Sequence, residues 1–184
     1  MFRQRIFTLI GIGTAALVLG SAAIAGTITA TATVTGAGAL SLSNGASATL
    51  TDTLDGSDQT VNYTLPLTLT DARGAGTGWN LTLTSTTFSD GAGHTLATTA
   101  SSVASVSQAC FAGGTCTNPT NAITYPTTVP AAATAPAAVK VFNAAANTGM
   151  GKFTITPTVN VLVPGNSFSG SYTSTLTVAA VSGP

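Results

Sequence analysis

The sequence predicts an all-β chain, an antiparallel β-sandwich with Greek-key, immunoglobulin-like connections and one long irregular loop. Three observations carry this expectation. Apolar and polar residues alternate with a period of two in several short runs, which turns one face of each run inward and the other outward. Those runs are rich in Thr and Val, whose β-branched side chains lose freedom in a helix and fit a pleated surface. Gly, Asn, Asp or Pro separates the runs, and no long helical period competes. Hydrophobic residues make up 44% of the chain. That favours order over the disorder which few charges and much Thr, Ser, Ala and Gly would otherwise suggest.

Taken in order, the first element is a leader. Arg3 and Arg5 precede an apolar run over residues 6–19 and the small-residue pattern Ala23-Ile24-Ala25, which predicts a signal peptide over 1–25 and a secreted domain over 26–184. The run falls short of the ~20 residues of a dedicated span, so no membrane span is expected after cleavage. In residues 27–35, Ile28, Ala30, Ala32 and Val34 alternate with threonines as a first strand, and Leu40 and Leu42 follow. Tyr63, Leu65, Leu67 and Leu69 alternate with Thr64, Pro66, Thr68 and Thr70 and feed the Gly-rich turn DARGAGTG. Beyond the turn, Trp79, Leu81 and Leu83 share one face, with Asn80, Thr82 and Thr84 on the other. The two runs read as a half-buried antiparallel pair. Trp79 is expected to plug the core, and Asp71 with Arg73 to pin the turn as an exposed pair worth under about 1 kcal/mol. Residues 115–138 carry Pro119, Pro126, Pro130 and Pro136 among alanines and threonines, a surface excursion rather than a domain boundary. Phe153, Ile155, Pro157, Val159, Val161 and Val163 form a long alternating strand, and Tyr172, Ser174, Leu176 and Val178 the last one.

Few residues here can do chemistry. Only 5% are charged, and beyond the leader Arg73, Lys140 and Lys152 face Asp52, Asp55, Asp58, Asp71 and Asp90, so phosphates find no basic patch and nucleic acid is excluded as a partner. Cys110 and Cys116 are the only cysteines. Export makes oxidation their default, and a structural disulfide is preferred over a metal pair or redox couple because no His or acidic cluster lies beside them. His94 is the sole His, set in a Gly-rich turn and expected to be solvated; a catalytic triad would have it as the only base available. Asp52, Asp55 and Asp58 could offer oxygens to calcium, but their spacing does not match the EF-hand loop and suits ordinary turns. No enzyme activity, cofactor or metal is expected.

Residues 71–84, DARGAGTGWNLTLT, resemble the first signature of the WxL domain, a family of secreted surface proteins of Gram-positive and related bacteria that associate with the cell wall. Trp79, Asn80 and Leu81 stand as its W, x and L, behind the Asp71, Arg73 and Gly74 turn. The likeness begins near residues 31–43, resumes over 147–177 and reaches the closing SGP. Where a second Trp-x-Leu usually stands near the C-terminus, this chain has Val178, Ala179 and Ala180. The resemblance implies a surface protein bound to peptidoglycan, another wall polymer or a partner surface protein. Because Pro184 follows without a sorting motif or hydrophobic tail, retention is expected to be non-covalent. The alternative reading is a self-assembling extracellular filament subunit whose 27–35 strand pairs with a neighbour's sheet edge.

Overall fold

The computed structural model describes residues 30–45 and 47–184; the predicted signal peptide, residues 27–29 of the predicted first strand and Ala46 lie outside them. The chain divides into two compact units, Met1–Thr33 and Val34–Pro184. Of the first, residues 30–33 are described, exposed and outside any strand. The second holds ten strands and, among the described residues, no helix: β1 (Ser41–Asn44), β2 (Gln59–Thr64), β3 (Leu67–Asp71), β4 (Trp79–Thr86), β5 (Ser101–Cys110), β6 (Thr127–Thr128), β7 (Ala131–Ala132), β8 (Val139–Ala144), β9 (Gly151–Val163) and β10 (Leu176–Ser182).

The longest alternation in the sequence becomes the spine. In β9, Phe153, Ile155, Pro157, Val159 and Val161 are buried while their neighbours stay partly exposed, as alternation on a one-sided sheet requires. One edge of β9 is shared by β2 along Thr158–Val163 and by β3 along Gly151–Ile155, and the other carries β5. β1 extends the sheet beyond β3 and β6 beyond β5. Pro157 sits mid-strand, where a missing N–H is normally costly. It is tolerated because β2 gives way to β3 there, with the Leu65 N–H donating to the Pro157 carbonyl at 2.9 Å, and because β5 shifts register nearby, between Val103 and Ser105.

The second sheet is centred on β4. β10 runs antiparallel along one side, while β8 pairs with Trp79–Leu83 and the two-residue β7 pairs in parallel with Ser85–Thr86 on the other. Leu81, Leu83, Val141 and Phe142 from this sheet meet Leu67, Leu69, Phe153 and Ile155 from the first. The layers form the expected β-sandwich, and the chain crosses repeatedly between them, as in Greek-key connections.

Several expectations are corrected. The runs at 63–70 and 79–84 do not pair with each other: β3 lies between β1 and β9, whereas β4 lies in the opposite sheet. The Gly-rich turn is therefore a crossover between layers. Residues 30–35 form no strand. The last strand starts at Leu176 rather than Tyr172, with Thr173 making only an isolated bridge to Ser89. Residues 115–138 are less of a surface excursion than expected. They supply β6, β7 and the fully buried Val129, and Asn121 and Ala122 are hydrogen-bonded to Asn143 of β8. Asn80 and Thr84, placed outward by alternation, are only 4% and 7% exposed, because neighbouring loops cover that face of β4.

Candidate functional site

The turn that delivers Trp79 is held by charge. Asp71 closes β3, and Arg73 returns two parallel hydrogen bonds to it, Nε to Oδ1 and Nη2 to Oδ2, each 2.8 Å. Nη2 also donates to the Gly78 carbonyl at 2.8 Å, and Nη1 to Ser182 Oγ at the end of β10. Such a fork fits planar recognition by Arg. This pair is not the exposed one expected from sequence: the Asp71 carboxylate is almost wholly buried and the guanidinium is 15% exposed. The Arg73 hydrogen bonds hold the Asp71 carboxyl below its ordinary value, winning against burial, which pushes it up.

Gly78 shows why the turn needs glycine. Its φ is +71°, and a Cβ there would stand 2.3 Å from the Ala144 carbonyl oxygen. Trp79 then enters the core with no exposed surface. Its ring centroid lies 5.8 Å from Phe142 and 6.4 Å from Phe153, both tilted, an arrangement favoured by aromatic quadrupoles. The indole N–H donates to the Gly149 carbonyl at 2.8 Å. Gly149 belongs to a second turn, in which Asn147 at φ 62° donates its N–H to the Gly76 carbonyl at 2.7 Å. Two glycine turns thus dock on each other through the indole.

Asn80 ties down the other end. Its amide nitrogen donates to the Gly183 carbonyl and the Gly183 N–H donates to the Gly78 carbonyl at 3.1 Å, leaving Asn80 Oδ1 without a partner among the described residues. Leu81 fills the core. Val178, Ala179 and Ala180 fall on β10 opposite Leu83, Thr82 and Leu81, so the stretch lacking the second Trp lies beside the first motif. Sequence reasoning missed Gly149, Asn147 and Ser182 as partners of the motif. Asn147 and Gly149 open the segment NTGMGKF that carried part of the resemblance.

The other chemical candidates stand apart from this clamp. His94 is less solvated than expected: Nδ1 lies 2.6 Å from Asp90 Oδ2, and its ring stacks on Phe168 at 3.9 Å. That hydrogen bond lowers the Asp90 pKa. Among the described residues, no hydroxyl is hydrogen-bonded to the other ring nitrogen, so no Ser-His-Asp triad is assembled there. Cys110 and Cys116 are joined in a disulfide. Asp55 caps the Ser57 N–H at 2.9 Å and Asp58 the Gly165 N–H at 3.0 Å. Among the described residues, no three acidic, His or Cys groups stand together as metal ligands, and no helix is long and apolar enough to cross a membrane.

Fold and site define a β-sandwich in which a buried Trp-x-Leu strand is sewn to the C-terminal strand through an Asp-x-Arg-Gly turn. The chain matches the WxL domain, described as surface cell wall-binding, over residues 24–180, and it belongs to that family. Cell-wall association at the cell surface is what the family's description states. No curated protein and no solved structure matches the chain.

Proposed function

We propose that this protein is secreted, is not an enzyme, and is retained non-covalently at the cell envelope by peptidoglycan, another wall polymer or a partner surface protein. The observation that carries the reading is the family match along residues 24–180. In this reading Trp79, Asn80 and Leu81 act indirectly. Trp79 and Leu81 are fully buried and Asn80 nearly so, so the motif shapes the sandwich, and surface groups held in place by it make the contact. Asp71 and Arg73 serve the same end by fixing the crossover and the end of β10.

The experiment is sedimentation of the purified secreted protein with isolated cell walls, with and without prior extraction of wall-bound proteins. Pelleting with stripped walls supports a polymer ligand, whereas pelleting only with unextracted walls supports a protein partner. Recovery in the supernatant in both cases removes wall association.

A further inference from the structure

The outer edge of β10 is undefended. Between Tyr172 and Gly183 the sequence has neither a charge nor a Pro, the devices with which soluble proteins ordinarily blunt a free edge. β10 pairs with β4 on one side only and ends its sheet. Its inward Leu176 and Val178 are only half-buried, and they line a cavity of about 1030 Å³ whose far wall includes Val61, Tyr63 and Val161. Leu81 and Leu83 on the neighbouring β4 are fully buried. The sandwich is open beside Leu176 and Val178, where residues 47–50 and 167–175 also line the cavity.

The same chain carries a complementary segment. Residues 27–35 alternate Ile28, Ala30, Ala32 and Val34 with threonines and hold no charge. Residues 30–39 are exposed, Val34 at 93%. The chain is anchored just beyond Val34, because the Ala37 N–H donates to the Ala72 carbonyl at 2.8 Å. Nine extended residues reach ~30 Å, more than the ~23 Å of a seven-residue strand such as β10. A segment with strand-like alternation, exposed over residues 30–35, and a bare edge over a partly apolar cavity thus occur in one molecule.

We propose that residues 27–35 of one copy add as a strand to the free edge of β10 in a second copy, their apolar face closing the cavity. Backbone hydrogen bonds supply the pairing and the alternate side chains its register. Donor and acceptor are different surfaces, so a contact made in one direction leaves a free donor at one end and a free acceptor at the other and propagates head to tail into a filament. Wall binding is separate from this contact, because assembly is measured without walls.

The test mixes two forms of the secreted protein, one carrying Thr31→Cys and the other Ala179→Cys, both at positions facing away from the cavity. Mild oxidation should give a reducible species of twice the mass containing one copy of each, and electron microscopy of the unsubstituted protein should show filaments. Val34→Asp should leave the melting temperature unchanged and reduce the cross-linked yield about tenfold or more, the cost of withholding a Val-sized side chain from burial. A synthetic peptide of residues 26–36 in excess should suppress the cross-link as well. The proposal is overturned by a protein that stays monomeric at every concentration, or by a yield indifferent to both Val34→Asp and the peptide. It is equally overturned if the cross-link forms only when both cysteines are on one chain, independently of dilution, since the segment then covers its own edge.

Discussion

Replacing Trp79 with Ala removes the bulkiest fully buried side chain and separates a structural role from a contact role for the motif. The ring touches Phe142 and Phe153 and its N–H satisfies the Gly149 carbonyl. Truncating a buried aromatic to Ala costs about 3–5 kcal/mol through lost contact and an incompletely collapsed cavity. The upper half applies here, because the Gly149 carbonyl also loses its donor, and an orphaned buried group costs about 1–3 kcal/mol by itself. At roughly 2–4 °C per kcal/mol for a domain of this size, the melting temperature should fall by about 8–20 °C. Trp79→Phe keeps most of the apolar contact and should cost less while still stranding the carbonyl. Differential scanning calorimetry and wall sedimentation on the same preparations decide the matter. If Trp79→Ala melts like the parent protein but no longer sediments with walls, the ring is a ligand contact and the core assignment is wrong.

Arg73→Ala should destabilise the domain by about 3 kcal/mol, the lower end for a broken buried pair because the guanidinium is partly exposed; urea unfolding at neutral pH measures it. The Asp71 pKa is lowered in the folded state, so its contribution is present above the ordinary value of 3.8 and is lost as pH falls through the folded-state value. Asp71→Asn should therefore flatten the acid limb of stability while lowering the neutral plateau, which acid titrations followed by circular dichroism will reveal. Joint replacement of Cys110 and Cys116 by Ser should cost roughly 2 kcal/mol or less, for a loop this short, and leave the fold intact; the parent, unfolded without reductant, should show no free thiol. Mass spectrometry of the secreted protein should find Gly26 at the N-terminus, and recovery of the intact leader in membranes would instead make the protein anchored.

Alternation found the core-facing side of the strands, overstated the exposure of the opposite side at Asn80 and Thr84, and was silent about neighbours. It placed Trp79, Leu81 and Leu83 inward and marked β9 from Phe153 to Val163, because period two reports which side of a strand meets the core. It could not tell that β3 and β4 belong to different layers, since a Gly-rich connection serves a hairpin and a crossover equally well. β5 escaped notice because its outer half, Ser105–Cys110, is largely exposed and Ser- and Ala-rich. β8 escaped because Val141, Phe142, Asn143 and Ala144 are all buried, which erases alternation. At the site, Asp71, Arg73 and Trp79 stand close together in sequence and announced their turn. Gly149 and Ser182 lie too far along the chain for any local pattern to couple them to it.

That remoteness sets an order of events for folding. Trp79 reaches across 70 residues to its acceptor and Asn80 across 103, and pairings of such separation form slowly because loop closure precedes any reward. A chain appears N-terminus first, so β4 emerges well before β8, the Gly149 turn and β10. Its apolar face stays partly uncovered until Phe142 of β8 and Phe153 of β9 arrive, and its β10 edge stays unpaired until the final residues do. The second sheet is consequently completed by its last strand, and a chain stopped short of Ser182 and Gly183 presents an unfinished sheet with both Arg73 and Asn80 short of a partner.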